Sequence, residues 1–404
     1  MNLVANASTQ SRAHRPLPPG YVRAETQSVN GVREIVRFFD NTGKSEYKTL
    51  LSWVGGQAGL LWGGPTSESL PPEIYGAIST ALVGARSTHG SYGHTAEHAL
   101  TDALGHALDG VFTTGDVSCR FGLSGRDALD AAVRVARAAT GRTLIASDGS
   151  YHGAGEALIH PPFPEGVPYD YQGVIRFFRW GDVEAMRRAV KFAAAMVVDV
   201  PALPDSEIAP FLAECRRACD NYGAVFILDE VVTGFRLGLQ GASGYYHVKP
   251  DIACYGKAMS ATGGVSAVVG NTSLLKLLDG VTFFSQTFGG MPGPCFVAAH
   301  TVNWLNKNKS YVYGTPGQVG YLRGIGEALQ DGMDKIFNAA NVSCHVNGQP
   351  ERSVMVWNTN DEWLEFCSKA IAYGVVLHRP QFPTLAHSID DVNITLAAIE
   401  ECLR

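Results

Sequence analysis

From residue 118 to residue 269 the chain repeats one pattern: a short apolar run rich in β-branched residues, a loop, and often a stretch with helical spacing. The apolar runs fall at 118–123, 143–146, 195–200, 225–229, 252–255 and 266–269, and helices are expected at 127–139, 183–193 and 210–222. Strands that are apolar almost throughout are buried on both faces, and elements alternating in this way form a mainly parallel sheet between helical layers. The fold class read from this pattern is α/β. The 404 residues, 46% apolar and 17% charged, suffice for one large domain and a smaller one. Beyond residue 296 the texture changes to helix, strand (353–357), helix (361–373), strand (375–378) and helix (390–403), which reads as a smaller α+β domain. The expected division is an N-terminal arm and small-domain segment at 1–50, a large domain at 51–295 and a C-terminal small domain at 296–404.

A formal charge of −6 and a pI near 6.1 leave no electrostatic footprint for nucleic acid or an anionic membrane surface, so the expected partner is a small molecule. The eight cysteines include no Cys-x-x-Cys pair and read as unbridged thiols of a reducing compartment. No apolar run approaches the roughly 20 residues that span a bilayer, and residues 1–20 lack a secretory signal core. A cytoplasmic protein is expected.

Open α/β sheets bind ligands at the carboxyl edge of their strands. The run at 225–229 ends there in Asp229 and Glu230, and the run at 252–255 is followed by Gly256 and Lys257. A carboxylate and an amine would then face one cleft from neighbouring strand ends. Desolvation lowers an amine's pKa toward the range in which it acts as a nucleophile, and a buried carboxylate can keep a heterocyclic nitrogen protonated. Ser124-Gly-Arg-Asp127 opens the helix after the first run; it reads as a capping box and, equally, as a turn that offers amides to a phosphate. Tyr151 and His152 follow the second run, where an aromatic face can stack on a flat ring. A competing pattern, His94-Thr-Ala-Glu-His98, has the spacing of a zinc hydrolase with Glu97 as base, although no third protein ligand is identifiable and no metal ligand is assigned. There is no dinucleotide fingerprint, no P-loop and no nucleophile elbow.

Leu228-Asp-Glu-Val-Val-Thr-Gly-Phe-Arg236, Gly241 to Tyr246, Pro250-Asp251 and Gly256-Lys257 together resemble the signature of the class III aminotransferases of pyridoxal-phosphate fold type I. Ser124-Gly125, Tyr151-His152-Gly153, Thr287 with Gly289-Gly290, and Pro380-Gln-Phe382 extend the likeness, which is greatest toward glutamate-1-semialdehyde aminomutases. The resemblance implies a large domain built on a seven-stranded sheet and pyridoxal 5'-phosphate as cofactor. It gives Lys257 the role of Schiff-base and proton-transfer residue and pairs Asp229 with the pyridine nitrogen. Val231 and Tyr151 would lie on opposite ring faces. Ser124 and Gly125 would take the phosphate, with Thr287 reaching over from a second subunit, so that a homodimer shares its active sites. The implied reaction is amino-group transfer by an aminotransferase or aminomutase through a pyridoxamine intermediate, with decarboxylation or racemisation on the same cofactor as the alternative. Departures are equally specific: Arg126-Asp127 stands where the family has Thr-Glu, and Asp199-Val-Pro201 replaces a Glu-Pro. Arg23, in a Val-Arg-Ala stretch, is a candidate for a substrate carboxylate.

Overall fold

A computed structural model of the chain describes residues 17–53, 61–62, 68–84, 93–153, 155, 158, 165–168, 170 and 173–404. Two compact units are present, Pro71–Tyr313 and a second composed of Met1–Leu70 with Gly314–Arg404.

The Pro71–Tyr313 unit is built on a seven-stranded sheet whose strands are β1 (Val117–Gly122), β2 (Ile145–Ser147), β3 (Ile175–Phe177), β4 (Ala195–Asp199), β5 (Val225–Glu230), β6 (Ile252–Tyr255) and β7 (Ser266–Asn271). Their order is β1-β7-β6-β5-β4-β2-β3. All neighbours are parallel except β7, which runs antiparallel to both β1 and β6. The mainly parallel expectation therefore holds. Strand β3 escapes the sequence pattern because three residues at a sheet edge are too few to show a period.

Helices α1 (Pro72–Gly84) and α2 (Thr95–Ala107) precede the sheet; α3 (Gly125–Thr140), α4 (Val183–Val190) and α5 (Asp205–Tyr222) cover it. The covering is visible residue by residue. Ala195, Val197, Val225 and Ile227 pack with Ala128, Ala132, Val133 and Ala136 of α3, whereas Met196, Val198, Phe226 and Leu228 pack with Met186, Val190, Ile208 and Leu212 of α4 and α5. Successive strand residues point to opposite faces, and here both faces are apolar cores. Helix α3 ends on Gly141 and α5 on Gly223, each in the left-handed conformation that a glycine adopts without steric cost.

In the other unit, Tyr21–Asn30, Arg33–Asp40 and Ser45–Ser52 form an antiparallel meander, and Val375–Val376 joins the third strand in parallel. A hairpin of Cys344–Asn347 with Val354–Trp357 and the helices Tyr321–Ala339, Asn360–Ala372 and Ile389–Leu403 enclose Trp53, Leu329, Met333, Phe337, Cys367 and Ile399. Arg23 lies on the first strand, its guanidinium 4.0 Å from the centroid of Phe39 and 3.4 Å from Glu25.

Candidate active site

The period of β5 sorts its two terminal carboxylates. Asp229 follows Val225 and Ile227 onto the α3 face, and Glu230 follows Phe226 and Leu228 onto the opposite one. Glu230, fully buried, accepts from the amides of Ala242 (3.0 Å) and Ser243 (2.7 Å) and from the hydroxyls of Ser243 and Thr233. It anchors the short helix Gly241–Tyr245. A Cβ at Gly241 would sit 2.4 Å from Glu230 Oε2, which together with a φ of 62° explains the glycine.

Asp229 faces a different set of groups. Its Oδ1 accepts the amide of Val231 at 3.0 Å, and its Oδ2 lies 2.8 Å from Nδ1 of His152. The other ring nitrogen of His152 is 3.1 Å from Oδ1 of Asp148, the first residue after β2. Asp148 in turn accepts from the amide and hydroxyl of Ser150 and from the amide of Asp199 at the end of β4. Burial alone would lower the histidine's pKa, but the hydrogen bonds and charges of the two carboxylates reverse this and push it up to about 10. His152 was visible in the sequence as a loop histidine beside Tyr151; its bond to Asp229 was not, because it joins residues 77 positions apart. Asp148 carried one signal only, its i, i+4 spacing to His152.

Val231 sits where three segments meet. An added Cβ on Gly125 would fall 2.5 Å from Val231 Cγ2, and one on Gly256 would fall 3.6 Å from Cγ1 and 3.9 Å from the amide of Gly125. The start of α3, the end of β5 and the approach to Lys257 are thereby brought together at the carboxyl edge. Lys257 is half-buried and opens a single 3₁₀ turn, Lys257–Met259, with a φ of 39°. For a residue with a Cβ that conformation costs on the order of 1–3 kcal/mol. The turn is held by the amide of Met259 on Gly256 O (2.9 Å) and that of Ser260 on Lys257 O (3.1 Å).

Ser124 caps α3 from extended backbone. Asp127 Oδ2 accepts the amides of Leu123 (3.0 Å) and Ser124 (2.8 Å) and the hydroxyl of Ser124 (3.2 Å). The capping reading of Ser124-Gly-Arg-Asp127 is thus correct, and it is compatible with the other, since the amides of Gly125 and Arg126 come next at the positive end of the helix, where helix geometry supplies no carbonyl. Arg126 turns away from the helix axis, binds Asp130 at 2.9 Å and covers Gly155, where a Cβ would meet its guanidinium at 2.6 Å. Tyr151 is 66% exposed. Thr287 is exposed on the turn 287–290, which packs on α2 so closely that a Cβ at Gly290 would lie 2.4 Å from Glu97 Oε1.

The His94-x-x-Glu97-His98 pattern does not place two histidines on one helical face. His94 stands before α2 in extended backbone (φ −86°, ψ 150°); its Nδ1 accepts the amide of Ala96, and Glu97 accepts the amide of His94 at 2.8 Å. The three residues form a capping box and a helix start.

Residues 206–389 match the sequence profile of the family described as aminotransferase class III. A glutamate-1-semialdehyde 2,1-aminomutase of Desulfatibacillum aliphaticivorans is 29% identical over 318 residues, 70% of this chain and 73% of that protein. The chain is similar to the class III aminotransferases over nearly half its length. Among solved structures, an omega-transaminase from Sphaerobacter thermophilus superposes with a TM-score of 0.78 over 96% of this chain and 92% of that one at 18% identity. A transaminase solved with pyridoxal phosphate bound gives 0.77 over 96% and 92% at 21% identity. The fold of the chain is accordingly fold type I.

Proposed function

We propose that the chain is a pyridoxal-phosphate enzyme that moves an amino group, with Lys257 and Asp229 at its catalytic centre. The observation that carries this reading is the meeting of Gly125, Val231, Asp229 and the Gly256-Lys257 turn at one sheet edge. The donor set fits the cofactor: uncapped amides at the start of α3 suit a phosphate, and an acceptor-only carboxylate suits a protonated ring nitrogen. The methyl groups of Val231 and the ring of Tyr151 suit the two faces of a flat heterocycle. When bound, the cofactor supplies a carbonyl that condenses with amines and a cationic ring that accepts the electron pair released at the substrate carbon.

Lys257 would be the residue that holds the cofactor, and its amine would carry a proton away from, or back to, the substrate carbon. The carboxylate of Asp229 would be the partner of the ring nitrogen. Ser124 and Gly125 hold the phosphate from one chain, and Thr287 of a second copy completes the hold, which makes the working unit a homodimer. The unbridged, buried cysteines support a cytoplasmic setting, and no helix among the described residues is long and apolar enough to cross a membrane.

The name of the Desulfatibacillum relative favours return of the amine to the same molecule over delivery to a second one. Two measurements test this. The purified protein is expected to absorb in the visible range as a lysine-bound pyridoxal phosphate, and Lys257→Ala is expected to lose that band; a wild-type protein that takes up no cofactor refutes the reading. Glutamate-1-semialdehyde supplied alone then reports isomerisation, whereas keto-acid release that requires both an amino donor and a separate keto acceptor reports transamination.

A further inference from the structure

Three side chains that the sheet carries together, Asp148, His152 and Asp229, form a closed polar chain with side-chain exposures of 2%, 1% and 6%. The imidazole lies between the carboxylates, 3.1 Å from one and 2.8 Å from the other. A neutral imidazole has one N–H and one lone pair, so it can donate to only one of these carboxylates and must turn its lone pair toward the other. Only the doubly protonated ring donates to both. Other titratable groups around the chain do not alter this: the thiols of Cys254 on β6, beside Asp229, and of Cys215 on α5, beside Asp148, are raised by burial and stay neutral. Asp199 meets the chain through its backbone amide, which binds Asp148.

We infer that Asp148 acts through His152 as a positioning residue for the cofactor ring: the outer carboxylate fixes the imidazolium, and the imidazolium fixes the charge and direction of Asp229. This rests on the proposed function for its purpose and not for its geometry. The high proton affinity of His152 agrees with it. Each oxygen of Asp229 has one contact already filled, Oδ1 by the amide of Val231 and Oδ2 by His152. The carboxylate plane is therefore set before any ligand arrives, and what remains of its acceptor capacity is presented in a fixed direction. Removing Asp148 would leave a histidine free to lose a proton and to change tautomer, and Asp229 would lose a charge-assisted bond without being touched itself.

The test uses Asp148→Asn, which preserves shape and removes charge, with Asp148→Glu as the variant expected to restore function. In protein freed of cofactor, nitrogen NMR of labelled histidine should find both ring nitrogens of His152 protonated from pH 6 to pH 9. In Asp148→Asn the same signal should titrate at a pH lower by about one to three units. In protein loaded with pyridoxal phosphate, Asp148→Asn should shift the pH midpoint of the visible absorbance, and Asp148→Glu should return most of it. A wild-type His152 that titrates near the usual histidine pH, or an Asp148→Asn protein in which neither signal moves, overturns the inference. Failure to take up cofactor would strike at the proposed function, yet the NMR measurement would still decide the relay. If Asp148→Asn does not fold, His152→Gln, which retains a donor to Asp229, takes its place: an unshifted absorbance midpoint in that variant also overturns the inference, and a shifted one supports it.

Discussion

Single residues in this site are constrained by neighbours that the sequence does not reveal. Gly125 stood out in the sequence as a candidate for phosphate binding, but its conformation is ordinary for a helix start; what requires a glycine is Val231, more than 100 positions later, occupying the space of a Cβ. Gly125→Ala is expected to destabilise the protein by about 1–3 kcal/mol through overpacking and to weaken cofactor binding. Gly125→Ala/Val231→Ala should recover part of the stability in a thermal melt, and if it recovers none the clash is not the cause. His152 gives a prediction with a sign. Its folded pKa, about 10, lies above the ordinary 6.5, so the folded protein keeps a proton that the unfolded chain releases in between. The associated stability is fully present below pH 6.5 and is lost as pH rises toward 10. Melting temperature without cofactor should fall over that window more steeply in the wild type than in His152→Gln, and equal slopes would remove the charge from the account.

At the scale of elements, the strands and helices that cover the sheet were legible because their apolar periods are long enough to count. Helix α3 is bounded by a serine cap and a left-handed glycine, both of which leave local marks. The antiparallel sense of β7 left none, since Ser266-Ala-Val-Val269 has the composition of its parallel neighbours. Direction is decided by connection length and packing, which a local pattern does not contain. The zinc-like spacing failed for the converse reason: a histidine can cap a helix as well as lie on it, and only the backbone angles distinguish the two. Asp127, which gathers two amides and a hydroxyl at the start of α3, is the element's critical contact. Asp127→Ala should cost about 0.5–2 kcal/mol in denaturant unfolding, with the loss recovered largely by Asp127→Glu, the residue usual in the family.

For the whole molecule, the proposed homodimer has a functional test. If Thr287 serves the partner's site, mixing inactive Lys257→Ala subunits with inactive Thr287→Ala subunits should regenerate one intact site per mixed dimer, or about a quarter of wild-type activity at equal subunit ratio. Complementation that never rises above the sum of the parents assigns Thr287 to its own chain. The alternation in β5 carries a further consequence. Because Asp229 and Glu230 face opposite cores, deleting or inserting one residue between Val225 and Asp229 would exchange their destinations, sending one acid under Gly241–Tyr245 and the other toward His152. Composition and charge would hardly change, yet both sites would be lost together. The strand therefore tolerates exchange of one apolar residue for another far better than any change in its length, and a gap there in a related sequence marks a protein that has lost this arrangement of acids.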